Sequence, residues 1–285
     1  MPPKQKAPQT KINRKILSLL MKTLEKECEP SISVCLAAFN GSDFVIEQIF
    51  SILGQLKQDD ELIIVDDCSL DDTVSLIEKI PDPRIKILKN DSNQREIKSF
   101  CTAIRAATRE IIFLSDQDDI WTPGRVGLMT QALRNSGAQV VSSNFTWIDS
   151  SGKPVDIRVD GVQESKSTRH LANIIDIFVG KTNYYGCAMA FRRDFSRIVT
   201  PIPAFVESHD LWIALASNIS RSNVHTESRT LLKRQHGNNA TSPVSARKLH
   251  SKIWSRVLFV LSIFVIFKRL QQHKSKFWEL VGIGR

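Results

Sequence analysis

Four apolar strands that alternate with amphipathic helices constrain the fold of this chain more than any other feature. The strands are predicted at 32–38, 61–65, 84–88 and 111–114, so strand and helix alternate four times in about 85 residues. This alternation predicts an α/β fold with a central, mostly parallel sheet and helices on both of its faces. The predicted helices of this half span 43–56, 97–107 and a segment that begins at 71. Farther along, strands are predicted at 138–143, 184–191 and 228–234, and a helix at 209–217.

Two of the strands end in clusters of acidic residues. Asp66 and Asp67 follow the second strand, and Asp116, Asp118 and Asp119 follow the fourth. Because ligands bind at the carboxyl ends of parallel strands, both clusters are expected at one edge of the sheet. Three carboxylates within four positions repel one another, which predicts either a bound cation or raised pKa values. A divalent ion such as Mg²⁺ or Mn²⁺, bridging to a diphosphate, is the natural partner.

Each cluster also has a simpler interpretation. The second cluster could be a solvated acidic loop, or a calcium site without catalysis. Asp66 and Asp67 could serve only the turn and the helix that follow them, where Ser69 and Asp71 are suitable caps. The functional alternative is that a carboxylate at this strand end accepts a hydrogen bond from a nucleobase N–H or a ribose hydroxyl.

Positive charge is concentrated at the two ends of the chain. Residues 1–30 hold seven Lys and Arg against three Glu, and residues 247–285 hold nine against one. The region between them is therefore slightly acidic, although the whole chain carries a formal charge of +9. Nucleic-acid binders carry positive charge on a folded face, so no nucleic-acid partner is expected. Basic ends suit an anionic membrane surface, or they serve only as solvated tails.

The longest apolar run, 257–267, lies within the basic C-terminal region. As a helix it would extend about 16 Å, roughly half of a bilayer core, so it cannot span a membrane alone. It fits either a helix in the membrane interface or a helix packed on the core. Five cysteines without a CxxC pair argue against a zinc site and indicate a reducing compartment, and no secretory signal is recognised. We therefore expect a cytoplasmic protein, peripheral on the inner face of the cytoplasmic membrane.

Five motifs are spread over residues 31–240. In chain order they are VCLAAFNG at 34–41, LSDQDDIW at 114–121, YGCAMAF at 185–191, HDLW at 209–212 and QHGNN at 235–239. Together with Asp66 and Asp67 they resemble the inverting family 2 glycosyltransferases, most closely their bacterial rhamnosyltransferase-like branch. The resemblance implies a GT-A fold, in which a nucleotide-binding sheet merges with an acceptor-binding region, followed here by C-terminal helices.

The expected organisation has three parts. Residues 1–30 form a basic flexible leader, residues 31–240 the GT-A glycosyltransferase domain, and residues 241–285 a basic amphipathic helical segment. Within the domain, the resemblance assigns residues 31–143 to nucleotide-sugar binding and residues 144–240 to the acceptor and the catalytic base.

The resemblance also implies roles for individual residues. The nucleotide-sugar site comprises Ala37, Phe39, Asn40, Asp66, Asp67, Asp116 and Gln117, with Asp67 on the base. The metal ligands are Asp118, Asp119 and His236, of which His236 could instead be structural. Inversion needs a general base opposite the diphosphate, for which Asp210 is the candidate, although it could instead cap its helix. The acceptor and donor pocket comprises Trp121, Gly186, Cys187, His209 and Trp212.

The implied activity is metal-dependent transfer of a sugar from a nucleoside diphosphate sugar to a saccharide or lipid-linked acceptor, in cell-surface polysaccharide biosynthesis. Rhamnose is the sugar that the branch suggests. Two alternatives stay open: a nucleotidyltransferase, although 38–41 is not the Gly-rich basic loop that a triphosphate needs, and an inactive protein that binds a sugar nucleotide or a partner. The chain departs from the family at Asn93-Gln94-Arg95, where a Gly usually follows the Asn.

Overall fold

The computed structural model describes residues 29–157, 159–181, 184–237 and 249–281. The expected leader, 1–30, lies almost wholly outside the described residues, as does Cys28. The four strands predicted for the first half are confirmed, each within two residues at its ends. They are β1 (Ile32–Ala38), β2 (Glu61–Asp66), β3 (Ile85–Lys89) and β4 (Ile111–Asp116), and the helices between them are α1 (Val45–Leu53), α2 (Thr73–Glu78) and α3 (Glu96–Ala106).

The second half adds four strands and five helices within the described residues. The strands are β5 (Ile120–Trp121), β6 (Val140–Ile148), β7 (Met189–Arg192) and β8 (Asn223–Arg234). The helices are α4 (Arg125–Ser136), α5 (His170–Val179), α6 (Ser196–Val199), α7 (His209–Ile219) and α8 (Leu249–Val281). In the part of the chain that the structure covers, no helix carries an apolar stretch long enough to cross a membrane.

All eight strands belong to one sheet, in the order β3-β2-β1-β4-β7-β6-β8-β5. Strand β1 is parallel to both of its neighbours, and it pairs Ala38 with Asp66 of β2 and Ala37 with Asp116 of β4. The two acidic strand ends therefore flank β1 at the same edge, about 10 Å apart, as expected for strands two positions apart. Strand β7 is antiparallel to β4 and β6, and β8 returns parallel to β6.

The core lies on both faces of this sheet. Alternate residues of β1 point in opposite directions, so Val34 joins one buried cluster and Cys35 the other. Helices α1, α2 and α4 cover the Val34 face, whereas α3, α7 and α8 cover the Cys35 face. Ile266 of α8 is fully buried, so the C-terminal helix packs against the domain along one side.

The strand predicted at 184–191 is wrong in its first half. Residues Gly186–Ala188 form a 3₁₀ turn, and the strand begins only at Met189. A Cβ atom at Gly186 would lie 2.3 Å from His209 Nε2, so the turn brings the backbone close against this imidazole. The apolar run seen in the sequence is therefore divided between a 3₁₀ turn and a buried strand.

Candidate active site

Asp67 lies just beyond β2, at the edge where β1 and β4 also end. Its Oδ1 accepts hydrogen bonds from Asn90 Nδ2 at 2.7 Å and from the Gln94 backbone N–H at 2.8 Å. Asp66 Oδ2 accepts from the Ser69 backbone N–H at 3.1 Å, whereas its buried Oδ1 has no hydrogen-bond partner among the described residues. Asp66 thus shapes the turn, and Asp67 is fixed by the loop that enters α3.

Gln117 holds the turn that follows β1. Its Oε1 accepts from the Phe39 N–H at 2.9 Å, and its Nε2 donates to the Phe39 carbonyl at 3.0 Å. A Cβ at Gly41 would lie 2.2 Å from Gln117 Oε1, so a larger residue there would displace this amide. Asn40 has a φ of 47°, and its Oδ1 accepts from the Leu70 N–H at 2.8 Å. Two side-chain amides therefore tie this turn to its neighbours on both sides.

Ala37 and Phe39 complete the expected nucleotide-binding surface at the end of β1. Ala37 pairs in register with Asp116, so it separates the two acidic strand ends. The Phe39 ring is 41% exposed although its backbone is held by Gln117. An exposed aromatic ring on a fixed backbone is suited to contact with a nucleobase or ribose.

Asp116, Asp119 and Cys187 surround the ammonium group of Lys233. The Lys233 Nζ lies 2.9 Å from Asp116 Oδ2, 3.8 Å from Asp119 Oδ2 and 3.5 Å from Cys187 Sγ. Burial works to raise the pKa of Asp116, but the Lys233 ammonium outweighs it and the pKa is lowered. Burial raises the pKa of Asp119 to about 7, in spite of Lys233. Burial also raises the pKa of the Cys187 thiol well above its ordinary value.

Asp118 pairs with His236 rather than with the other acids. His236 Nε2 lies 2.8 Å from Asp118 Oδ2, and Arg234 Nε donates to the Asp118 carbonyl at 2.9 Å. Asp119 turns the other way: its Oδ1 accepts from the Arg234 backbone N–H at 3.1 Å, and its Oδ2 faces Lys233. Of the three expected metal ligands, the structure thus brings Asp118 and His236 together and places Asp119 in a neighbouring cluster.

The Asp118–His236 pair fits a divalent metal ion. The two ligand atoms are 2.8 Å apart, and neighbouring ligands in an octahedral shell lie about 3 Å apart. A carboxylate oxygen with an imidazole nitrogen suits Mn²⁺ better than Mg²⁺, because imidazole is a ligand of transition metals. Both side chains are mostly buried, with exposed fractions of 12% and 13%. Diphosphate oxygens and water would complete the coordination.

Asp210 lies in the first turn of α7, next to the same edge of the sheet. Its Oδ1 accepts from the Leu211 N–H at 2.8 Å and from the Ser208 hydroxyl, and its carboxylate also accepts from the Gly186 N–H. Burial raises the pKa of this carboxyl, and the nearby Asp116 carboxylate adds to the shift. A carboxylate with a raised pKa beside the acidic strand end is suited to accept a proton.

His209, next to Asp210 in α7, is a buried residue that packs against α3. Its ring is buried and stacks on Phe100 with 4.3 Å between centroids, and its Nδ1 lies 3.5 Å from Glu96 Oε1. Its Nε2 packs against Gly186, which leaves no room there for a side chain, and it has no hydrogen-bond partner among the described residues. The Gly186 N–H in turn donates to Asp210, so Gly186 lies between His209 and the candidate base.

The two tryptophans expected to line the pocket are core residues. Trp121 is 3% exposed and packs 5.4 Å from the Phe113 ring. Trp212 is 2% exposed, and its Nε1 donates to the Val199 carbonyl at 2.9 Å. The Arg269 guanidinium of α8 lies 5.4 Å from the Trp212 ring, on the side of the C-terminal helix. Both indoles therefore support the strand end and α7 from within the core.

Three residues at the site were not singled out from the sequence. They are Lys233 in the acidic cluster, Asn90 against Asp67, and Glu96 beside His209. The only signal for Lys233 was its position two residues before the QHGNN motif. Asn90 and Glu96 flank residues 93–95, where the chain departs from the family pattern. That departure was the signal in the sequence that could have drawn attention to both residues.

Comparison with known proteins identifies the family. Residues 33–199 match the family model for glycosyl transferase family 2. The chain belongs to this family. Among curated relatives, the succinoglycan biosynthesis protein ExoO of Rhizobium meliloti is 32% identical over 124 residues, which is 44% of this chain and 36% of that protein. The UDP-Glc:alpha-D-GlcNAc-diphosphoundecaprenol beta-1,3-glucosyltransferase WfaP of Escherichia coli is 34% identical over 95 residues, covering 33% of this chain and 38% of WfaP.

The chain therefore spans little more than a third of the length of these two relatives. Among solved structures, residues 1–349 of TarS from S. aureus in complex with UDP-GlcNAc superpose with a TM-score of 0.61 at 15% identity, over 86% of this chain and 73% of that one. The complex of the same TarS fragment with UDP gives a TM-score of 0.59. The fold of this family member is of GT-A type, as the resemblance implied.

Proposed function

We propose that this protein transfers a sugar from a nucleoside diphosphate sugar to a saccharide or lipid-linked acceptor, with inversion, in cell-surface polysaccharide biosynthesis. One observation carries the proposal: Asp67, the Asp118–His236 pair and Asp210 lie along one edge of a single sheet. This arrangement offers a site for a base at one end, for a metal-bound diphosphate in the middle and for an acceptor hydroxyl at the other end. The printed names of ExoO and WfaP support the biosynthetic context.

The donor nucleotide is proposed to be a uridine or thymidine diphosphate. Asp67 Oδ1 is occupied by Asn90 and Gln94, which orients the carboxylate for an N–H donor. Uracil and thymine both carry an imide N–H, which a carboxylate accepts well. The rhamnosyltransferase-like motifs favour a thymidine diphosphate rhamnose donor, whereas WfaP is named for UDP-Glc. We retain rhamnose as the proposed sugar and test it against UDP-hexoses.

The residues of the chain account for each part of an inverting transfer. The acceptor oxygen attacks the anomeric carbon from the face opposite the diphosphate, while the bond to the diphosphate oxygen breaks and the nucleotide leaves. Asp210 takes the proton of the acceptor hydroxyl, for which its raised pKa is suited. Asp118 and His236 would hold the divalent ion, which offsets the charge that builds on the leaving diphosphate. Asp116 is positioned by Lys233 for the ribose or the donor phosphate.

The acceptor sugar is proposed to lie in a cavity of about 210 Å³ beside Asp210. Phe145, Trp147 and Tyr185 contribute three mutually perpendicular rings to it, with centroids 4.8–6.2 Å apart. Tyr185 directly precedes Gly186, whose N–H donates to Asp210, so the cavity adjoins the candidate base. Pockets for drug-sized ligands occupy roughly 300–1,000 Å³, so this cavity suits a single sugar ring.

The loop that lines this cavity is bound by the Asn144 side chain at its C-terminal end and by backbone pairing with β6 at its start. Asn144 Nδ2 donates to the Val162 carbonyl at 3.0 Å, and the Val162 N–H donates to Asn144 Oδ1 at 2.8 Å. A Cβ at Gly161 would lie 2.4 Å from Asn144 Oδ1, so the loop passes close to this amide. The acceptor pocket is thus preformed on its outer side, which favours selection of one sugar shape.

Peripheral membrane contact is proposed through an apolar face on α5 and α8. Exposed apolar side chains recur every three or four residues on both helices: Leu171, Ile175 and Val179 on α5, and Trp254, Val257, Leu261 and Phe264 on α8. The helices adjoin, because Phe178 and Phe259 lie 5.3 Å apart. An exposed apolar face beside a C-terminal region rich in Lys and Arg suits an anionic lipid surface, where a lipid-linked acceptor would be found.

Donor binding followed by transfer tests the function. The purified protein is incubated with Mn²⁺ and a panel of nucleoside diphosphate sugars, and the melting temperature is measured. We expect a rise with a thymidine or uridine diphosphate sugar and none with an adenosine diphosphate sugar, whose base has no ring N–H for Asp67 to accept. Transfer from that donor to diphosphoundecaprenol-linked GlcNAc is then measured. Donor binding without transfer to this or other lipid-linked acceptors would favour an inactive sugar-nucleotide-binding protein, and the absence of any rise would exclude the proposal.

A further inference from the structure

The Lys233 side chain places a positive charge among the acidic side chains of the site. It lies near the end of β8, and its side chain is 13% exposed. Its Nζ contacts the Asp116 carboxylate, the Asp119 carboxylate and the Cys187 sulfur at 2.9, 3.8 and 3.5 Å. An ammonium group has three donors and no acceptor, so it matches three converging acceptor atoms.

The same three side chains have the spacing of a metal site. The ligand atoms of Asp116, Asp119 and Cys187 lie within 4.8 Å of one another. Asp119 Oδ2 is buried, has no hydrogen-bond partner among the described residues, and faces the Lys233 Nζ. Two carboxylate oxygens and a sulfur would bind a borderline-soft ion such as Zn²⁺ or Co²⁺ if the space between them were free.

We infer that the Lys233 ammonium is the resident cation of the Asp116–Asp119–Cys187 cluster, and that it confines a divalent ion to the Asp118–His236 pair. A divalent ion between the three ligands would meet a like charge covalently attached to β8, at contact distance and away from water. Lys233 therefore compensates Asp116 whether or not a metal is bound, and it keeps thiophilic metals off Cys187. The inference rests on the proposed function only for the role of the Asp118–His236 pair.

Cobalt titration tests this directly, because Co²⁺ bound to thiolate gives a near-ultraviolet charge-transfer band. The protein is titrated with CoCl₂ in the absence of nucleotide sugar. Wild type is expected to bind at most one equivalent, without the thiolate band. Lys233→Met is expected to bind one additional equivalent, with the band. The matched variant Lys233→Arg keeps the positive charge and should behave as wild type, and Lys233→Met combined with Cys187→Ser should lose the band.

Two results would overturn the inference. A thiolate band in wild type that Cys187→Ser removes would mean that the metal displaces Lys233. Unchanged stoichiometry in Lys233→Met, in a protein whose melting curve shows it to be folded, would mean that Lys233 does not exclude metal. If Lys233→Met fails to fold, Lys233→Gln serves in its place, because its amide can donate to the same acceptors without a charge. No donor sugar or turnover is needed, so failure of the proposed function leaves this result unaffected.

Discussion

His236 and Asp118 contact each other at 2.8 Å although they are 118 positions apart in the sequence. Asp118 follows β4, and His236 follows β8, which lies three strands farther along the sheet. Strand β7 is antiparallel to both β4 and β6, and β8 is parallel to β6. Strand β8 therefore runs parallel to β4, and its carboxyl end lies at the same edge as the acidic strand ends. The Asp118–His236 pair is therefore completed only when β8, the last strand in the chain among the described residues, is in place.

Asp118→Ala should remove the metal-dependent part of donor binding. Loss of one of two protein ligands is expected to weaken Mn²⁺ binding by more than the roughly 10–100-fold that follows loss of a supporting hydrogen bond. The measurement is the Mn²⁺-dependent rise in melting temperature with the donor identified above. Asp91→Ala, an exposed acid outside the site, is the matched control and should behave as wild type. A full metal-dependent rise in Asp118→Ala would remove Asp118 from the metal site.

Asp210→Asn should abolish transfer and preserve donor binding. The amide keeps the shape and can still accept from the Leu211 N–H, but it cannot take a proton. Loss of a general base costs about 10²–10⁴-fold in rate. Transfer rate and donor affinity are measured on the same preparation. Transfer at the wild-type rate would show that another group is the base and that Asp210 serves as a helix cap.

The pH dependence of transfer should report the same carboxyl. Asp210 must be ionised to accept a proton, and its pKa is raised by burial and by Asp116. Activity is therefore lost as the pH falls through this raised pKa, at a higher pH than for an ordinary Asp of pKa about 3.9. The acid limb of the pH profile of kcat/KM measures it. An acid limb at or below the ordinary value would argue against a buried carboxylate as the base.

Arg95→Gly should stabilise the fold. Arg95 has a φ of 70° and a ψ of 159°, a conformation that glycine adopts readily and that is costly for a side chain. Relief of this strain should raise the free energy of unfolding by about 1 kcal/mol, or the melting temperature by about 2–4 °C for a domain of this size. Gln94→Gly, at the neighbouring residue, whose φ is not positive, should lower stability instead. Equal effects of the two variants would contradict the argument.

Phe264→Asp should weaken membrane association. Phe264 is 67% exposed in the apolar face of α8, so an aspartate there costs little folding energy but places a charge against the lipid. Sedimentation with vesicles of phosphatidylglycerol and phosphatidylcholine measures the bound fraction. Leu128→Asp changes a similarly exposed side chain on α4, away from this face, and should bind as wild type does. Equal binding of all three proteins would place the contact elsewhere.

The half of the sheet that contains β1 to β4 could be predicted from sequence because its signals are local. Each strand of that half is a short apolar run, and the register that brings Asp66 and Asp116 beside β1 follows from parallel pairing. The absence of a Gly from residues 93–95 was also visible in the sequence, and within this segment the structure shows a positive φ at Arg95. Local patterns therefore located one side of the site to within a residue or two.

The contacts in the rest of the site could not be predicted, because they depend on the order of the strands in the sheet. Insertion of β7 antiparallel between β4 and β6 has no local signature, yet it brings Cys187 to the acidic edge. Lys233 and Asp116 are 117 positions apart in sequence, and only the pairing of β8 with β6 makes them neighbours. The separation of Asp119 from Asp118 likewise depends on Arg234, whose backbone and side chain bind both residues.

The unbroken run of eight strands has a consequence for turnover. The proposed donor and acceptor regions share one hydrogen-bonded sheet, joined through β4 and β7. The two regions therefore cannot move apart by a hinge rotation unless the backbone hydrogen bonds between β4 and β7 break. We expect the exit of the spent nucleotide to rely on rearrangement of loops at the acidic edge of the sheet, while the distance between the two binding regions stays constant through the cycle.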